Sequence, residues 1–293
     1  MLASICGLLL HALPPHVPAA HALSPDPWPE PVSFSAAQLA CFRENATSQF
    51  REDLRLVTGL HAITGGLPGS FVEIGALDGV RLSNTYMLEH CLGWRGLLIE
   101  GNPTNYRHLE QNVANGRRSR VSIVHSAVCA APGGTLNMTV AGGPVAAVPD
   151  TTSSHFTQQW AHVNHPEHTV AVPCRPMSEL MADAGLPNAT FLSLDVEGAE
   201  EIVARTFDAA RFKVIMVEAD GGDPAKDAAV RHIFESSGMT RMPESYGPSI
   251  EFNRQHNYSD NAAASDVLVK NDALAAYENA HALCTPRGWP CQV

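Results

Sequence analysis

The chain has 293 residues, 45% hydrophobic and 17% charged, enough for a well-buried core and outside the range of disordered or fibrous polypeptides. A formal net charge of −11 disfavours a nucleic acid partner, which a local basic patch alone would have to attract. The densest basic cluster, Arg117, Arg118 and Arg120, is short and reads as a solvated loop.

The apolar run from Leu2 to Leu13 is too short to span a bilayer as a helix, and Ala20-His21-Ala22 follows it as a small-x-small pattern. Residues 1–22 therefore read as a secretory signal peptide, although no Lys or Arg precedes the apolar run. An unstructured leader and a transit peptide are the alternatives. Residues 23–34 read as a Pro/Ala-rich linker, and 35–293 as a single domain with its core at 70–270.

Residues 35–60 have a helical apolar pattern. From Ser70 strands and helices alternate: strand Ser70–Gly75, helix Ser83–Cys91, strand Arg95–Glu100, helix Pro103–Asn115 and strand Val121–His125. Pro132–His168 breaks the rhythm and reads as an inserted hairpin with a loop or lid. Strand Thr190–Asp195, helix Ala199–Phe207, strand Val214–Glu218, helix Asp227–Ser237 and strand Asp266–Lys270 complete the pattern. This alternation predicts a doubly wound, mostly parallel α/β sheet with helices on both faces.

The first chemical signal is Phe71-Val72-Glu73-Ile74-Gly75-Ala76-Leu77-Asp78-Gly79, a strand running into a glycine loop. Gly75 lets a ligand approach the backbone and Gly79 permits the turn. A dinucleotide site favours G-x-G-x-x-G, and the middle glycine is absent here. Acidic Glu73 and Asp78 suit a cationic adenosine derivative such as S-adenosylmethionine better than a diphosphate. Glu100, ending the next strand, is placed to accept hydrogen bonds from two ribose hydroxyls, a device that NAD sites share. The third signal, Leu192-Ser193-Leu194-Asp195-Val196-Glu197-Gly198-Ala199-Glu200, puts Asp195 and Glu197 at the same sheet edge. Three roles stay open for this pair: general base, metal ligands, or carboxylates facing a helix N-terminus. Glu197 and Glu200 are spaced to share a helix face.

The blocks FVEIGALDG, SNT (Ser83–Thr85), GWRGLLIEGNP (Gly93–Pro103) and SLDVEGAE (Ser193–Glu200) together resemble the eukaryotic-style branch of the FkbM methyltransferases, over roughly Phe71 to Asp220. The resemblance implies a class I, Rossmann-like methyltransferase fold, S-adenosyl-L-methionine as cofactor and methyl transfer, often to oxygen. Carried across, Glu73, Gly75, Ala76, Asp78 and Gly79 line the methionine end of the cofactor. Glu100 holds the ribose; Asn102, Ser126 and Ala127 border the adenine; Asp195 lies near the methyl group. Gly101 departs from the family, which usually has proline there.

The expected acceptor is a hydroxyl of a glycan, lipid or small metabolite, with Asp195 as base and Glu197 second. Two rivals remain: a NAD or nucleotide-sugar enzyme on a related sheet, and a non-catalytic lumenal protein on a degenerate scaffold. His125 is a further acid-base candidate. His155, His162, His165 and His168 read as a solvated or lid segment, not as a metal set. No metal and no stable transmembrane span are expected. Six cysteines remain beyond residue 22, and Cys284 and Cys291 are the easiest local pair, with six unpaired thiols as the alternative. Together with Asn-x-Ser/Thr triplets at Asn45, Asn137, Asn188 and Asn257, they point to the secretory pathway; the alternative is cytoplasmic.

Overall fold

In chain order the apolar strands fall side by side because each carries residues for two faces. The computed structural model describes residues 33–140, 147–148, 169–219, 221–243 and 265–284. Its strands are β1 (Ser70–Ile74), β2 (Arg95–Glu100), β3 (Val121–His125), β4 (Ala127–Val128), β5 (Gly134–Thr139), β6 (Thr169–Arg175), β7 (Ala189–Leu194), β8 (Phe212–Glu218), β9 (Met239–Arg241) and β10 (Ser265–Lys270). The helices are α1 (Ala36–Asn45), α2 (Glu52–Ile63), α3 (Tyr86–Leu92), α4 (Pro103–Ala114), α5 (Met177–Asp183), α6 (Glu200–Ala204), α7 (Pro224–Ser236) and α8 (Leu274–Cys284).

Seven strands form the main sheet in the order β3-β2-β1-β7-β8-β10-β9. β3, β2, β1, β7 and β8 are parallel, and β10 runs antiparallel between β8 and β9. The chain winds outward from β1 through β2 to β3, then returns to β1's other side with β7, so strand order reverses between β1 and β7. That reversal opens a crevice at the carboxyl ends of the two strands. The doubly wound α/β fold expected from the sequence is the fold observed.

Side chains alternate across the sheet with a period of two. Val72, Ile74, Leu97, Ile99, Leu192, Leu194, Ile215 and Val217 pack on one face with residues of α5, α6 and α7. Phe71, Leu98, Phe191, Val214 and Met216 pack on the other with residues of α1, α2, α3 and α8. Phe34, assigned to the linker by composition, is buried here and stacks on His61.

A second sheet of three strands, β4-β6-β5, lies beyond β3. β5 lies within the expected insertion of Pro132–His168 and pairs antiparallel with β6, which begins just after that insertion. β6 and α5 are absent from the sequence reading, as are β9 and α8. The stretch 35–60, expected to be helical, forms α1 and most of α2. Asp53 accepts hydrogen bonds from the backbone N–H of Thr47 and Ser48, and Ser48 bridges to Leu82, which turns the chain between them. α1 begins in a capping box of Ser35 and Gln38. α3 starts at Tyr86, later than the predicted Ser83, because Ser83 serves a buried network described below.

Two disulfides are present among the described residues. Cys41–Cys91 joins α1 to α3, and Cys129–Cys174 ties the segment after β4 to β6. The expected signal peptide, the histidine cluster and the Cys284–Cys291 pair lie outside the described residues or side chains. Among the described residues no helix is long and apolar enough to cross a membrane.

Cys41–Cys91 closes 50 residues of chain. Replacing both cysteines by serine is expected to lower stability by about 3–4 kcal/mol, most of it through the unfolded ensemble. Urea unfolding checks this, with a higher m-value expected because the uncrosslinked chain exposes more surface when it unfolds, and a loss below about 1 kcal/mol contradicts it.

Candidate functional site

Gly75 follows β1 directly and stands exposed at the crevice, with φ 82°. A Cβ there would lie 1.9 Å from the backbone oxygen of Asp195, so only glycine lets β1 and β7 approach this closely. The amides of Gly75 and Ala76 both donate to Ile99 O, at 3.1 and 3.2 Å. Leu77 N then donates to Glu100 Oε2, and Asn102 N to Glu100 Oε1, each at 2.7 Å. One carboxylate thus ties the β1 loop to the turn after β2. Ser126 N, after β3, donates to Glu100 O at 3.1 Å. The sequence-selected residues from Gly75 to Asp195 therefore occupy one edge, through contacts that cross β3, β2, β1 and β7.

Their side chains divide into two sets. Glu73 is buried, and its oxygens accept from Ser83 Oγ at 2.8 Å, Asn84 N at 2.8 Å and Thr85 Oγ1 at 2.6 Å. It holds the loop in place rather than presenting a carboxylate to the crevice, and its pKa is raised, first by burial. Asn102 Oδ1 caps α4 through Thr104 N and Asn105 N. The Ser126 hydroxyl donates to Ala127 O at 2.7 Å, and both residues are buried. Asp78 Oδ1 accepts from Val80 N and Arg81 N and shapes the turn through Gly79. A Cβ on Gly79 would meet Leu109 Cδ1 at 2.5 Å. Gly101 lies against Met138 of β5; a Cβ there would come within 2.8 Å of the Met138 methyl. His125 Nε2 sits 3.0 Å from Gly101 O, and its ring stacks on Tyr106.

The second set is partly exposed: Asp195, Val196, Glu197 and Gly198 between β7 and α6. Glu197 has a positive φ of 54°. Glu200 is buried at the start of α6, where it accepts from Val196 N and Gly198 N and pairs with Lys226 Nζ at 2.8 Å. Glu197 and Glu200 therefore do not share a helix face; one lies in the turn and the other closes it. Glu218 ends β8, next to β7, and sequence reading missed it. Burial, then the carboxylates of Asp195, Glu197 and Glu200, hold Glu218 well above the usual carboxylate range, and it shares a hydrogen bond with Asp195. Burial likewise pushes Glu100 up to about 7, against the lowering effect of its hydrogen bonds. Among the described residues no group of three or more His, Cys, Asp or Glu is arranged to hold a metal ion.

Arg118 overturns its expected place in a solvated loop. Its side chain is fully buried while Arg117 and Arg120 stay exposed. Nη1 donates to Gly79 O at 2.8 Å and Ser83 Oγ at 3.2 Å, Nη2 donates to Thr85 Oγ1 at 3.0 Å, and Nε pairs with Glu89 Oε2 at 2.6 Å. The rings of Phe71 and Tyr86 flank the guanidinium. Asn84 Nδ2 extends the network to Ser193 Oγ on β7 at 3.0 Å. Arg118→Met leaves Glu89 buried without its cation, and about 3–5 kcal/mol of stability is expected to go. Adding Glu89→Gln should recover part of it. A thermodynamic cycle by urea unfolding checks this, and strict additivity would refute the coupling.

Residues 73–257 match the family model for the methyltransferase FkbM domain. No curated protein sequence matches the chain significantly. Solved structures that share its outline include precorrin-6y C5,15-methyltransferase from Geobacter metallireducens GS-15, 14% identical, covering 78% of this chain and 95% of that one with a TM-score of 0.41. An O-methyltransferase from Bacillus cereus in complex with SAH is 12% identical over 82% of this chain and 93% of that one, with a TM-score of 0.36. Methyltransferase FkbM from Methylobacillus flagellatus KT is 13% identical over 79% of this chain and 58% of that one, with a TM-score of 0.39.

Proposed function

We propose, from the premise that this chain belongs to the FkbM methyltransferase family, that it uses S-adenosyl-L-methionine to methylate a hydroxyl of a glycan, lipid or small metabolite. The observation that carries this reading is the crevice between β1 and β7. There an exposed glycine without a Cβ lies against Asp195, beside the partly exposed Glu197. Bare backbone next to carboxylates fits a ligand with a sulfonium and an ammonium, and opposes a diphosphate. That argues against the NAD and nucleotide-sugar rival.

The bound cofactor supplies an electrophilic methyl carbon. What the chain contributes is alignment, shielding and a proton acceptor. Gly75 and Ala76 border the methionine portion, with Asp78 and Gly79 shaping the turn behind them. Glu100 faces the ribose: its oxygens accept from Leu77 N, Asn102 N, the Asn105 side chain and Gly101 N, and a ribose hydroxyl shares or displaces one of these donors. Asn102, Ser126 and Ala127 border the adenine as backbone and packing surface, since their polar side-chain groups serve the fold. Asp195 accepts the proton of the acceptor hydroxyl, with Glu197 as the second candidate. Glu218, whose own carboxyl is held protonated by burial and by the surrounding carboxylates, shares a hydrogen bond with Asp195 and so orients it toward the acceptor.

Two measurements test this. Glu100 has a pKa of about 7 when buried without ligand. A hydroxyl pair that hydrogen-bonds its ionised form lowers that value, so binding releases a proton. At pH 7 about half a proton per cofactor is expected, seen by calorimetry in buffers of different ionisation enthalpy. Glu100→Gln should bind more weakly and release none. No heat with S-adenosylmethionine or S-adenosylhomocysteine would instead favour the non-catalytic scaffold.

With a competent acceptor, Asp195→Ala is expected to fold normally and abolish transfer; full activity removes Asp195 from the mechanism. Glu218→Gln keeps a neutral hydrogen-bonding side chain beside Asp195 and is expected to keep most of kcat/KM, whereas Glu218→Ala removes the bond and should lower kcat/KM by about tenfold or more. Wild-type kcat/KM in Glu218→Ala shows that the pair does not act together.

A further inference from the structure

We propose that Asn188 is a site of N-linked glycosylation, and hence that the chain folds in the lumen where such glycans are attached. Three Asn-x-Thr triplets lie within the described residues, at Asn45, Asn137 and Asn188. The fold treats them differently.

Asn45 is part-buried at the end of α1, where its amide donates to Cys41 O at 2.9 Å beside the Cys41–Cys91 disulfide. The hydroxyl of its triplet partner Thr47 donates to Ser83 O at 3.1 Å, against the loop that borders the crevice. A branched sugar there would press on the α1–α3 junction. Asn137 is exposed but sits within β5, paired with Ala171 of β6, and the hydroxyl of Thr139 is buried against Ala147 O. Asn188 is exposed in the bend between α5 and β7, the setting that suits a bulky, solvated modification. Its triplet partner Thr190 is part-buried in β7, and its hydroxyl accepts from Ser70 N at 3.3 Å, so the contrast with Asn45 and Asn137 rests on the asparagine's own exposure outside a helix or strand.

Two further observations point the same way. The described residues include two disulfides, which are rare in reducing compartments and common in the oxidising lumen where glycans are added. Asn188 immediately precedes β7, and Asp195 immediately follows it. A strand of that length separates its ends by roughly 20 Å. A glycan on Asn188 therefore occupies the sheet edge opposite the crevice and leaves the site open.

In the attachment step the Asn188 amide nitrogen loses a proton and forms a bond to the anomeric carbon of an oligosaccharide. The bond from that carbon to a lipid-linked diphosphate breaks, and the lipid diphosphate leaves with the electron pair. The donor and the transferase belong to the host lumen.

The test expresses the full chain in eukaryotic cells and treats it with an N-glycosidase in heavy-oxygen water, which converts a glycosylated asparagine to labelled aspartate. The label is expected on the peptide containing Asn188. Asn188→Gln should remove one glycan step from the gel ladder and keep the wild-type affinity for S-adenosylhomocysteine, while Asn45→Gln leaves the ladder unchanged. An unlabelled Asn188 overturns the proposal, whether the chain stays in the cytosol with free thiols or is secreted with sugar elsewhere. The labelling is read on the unmutated chain, so it does not depend on a variant folding. A chain that binds no methyl donor still carries this glycan if the proposal holds, which separates its failure from that of the methyltransferase reading.

Discussion

A guanidinium sealed from water must find every partner inside the protein, and Arg118 finds them on the loop that the crevice needs held still. Its donors reach Gly79 O, Ser83 Oγ and Thr85 Oγ1, and its charge meets Glu89. Glu73 collects the same segment from the other side, through Ser83, Asn84 and Thr85. The stretch between β1 and α3 contains four positive φ angles, at Leu77, Gly79, Leu82 and the preceding Gly75. Leucine in that conformation is strained, and such strain persists only where the surroundings over-determine it. The buried charges provide that surplus. Without them the loop has little reason to keep the path that brings Gly75 against Asp195.

The same logic sorts the acids of the site. A buried carboxylate whose oxygens are filled by neighbouring donors shapes the fold; one left partly exposed borders the crevice. Glu73 and Glu200 belong to the first class, Asp195 and Glu197 to the second. Glu100 stands between them. It is buried and tied to two loops, yet its hydrogen bonds do not offset desolvation, so its charge is incomplete near neutral pH. A group in that condition responds to any new donor placed beside it. Sequence pattern alone, an acid at a strand end, does not separate these classes, because exposure and hydrogen-bond occupancy are settled by neighbouring strands.

That distinction explains what was legible in the sequence. The strands from Phe71 to His125 and from Phe191 to Glu218 were readable because each is an apolar run bounded by turn residues, and their alternation with helices fixed the parallel order. β6 was not, because Pro173 argues against a strand interior. In the fold, its neighbour β4 begins pairing only at Cys174, so on that side the missing N–H has no ladder partner to lose. α8 did carry a signal: Ala273, Tyr277 and Ala280 are buried at i, i+4 and i+7. It went unread because the pattern was taken to finish with β10. In the site, the glycine loop, Glu100 and Asp195 were visible as local motifs. Glu218 and Arg118 were not, since the first matters only once β8 lies beside β7, and the second sits in a basic run that looks solvated until α3 is packed over it.

The second sheet shows how a departure from the family pattern is accommodated. Gly101 replaces the usual proline just where β5 brings Met138 onto the turn after β2, and a side chain on residue 101 would meet the end of that methionine. The Cys129–Cys174 disulfide fixes the β4–β6 junction that carries this packing. Ser126 and Ala127, which border the expected adenine position, lead directly into β4. The expected adenine side is therefore bordered from outside the main sheet, by a small sheet that a disulfide ties together. An acid-rich crevice between β1 and β7 and a disulfide-braced wall beyond β3 together make one edge, and the two are joined through the Glu100 turn.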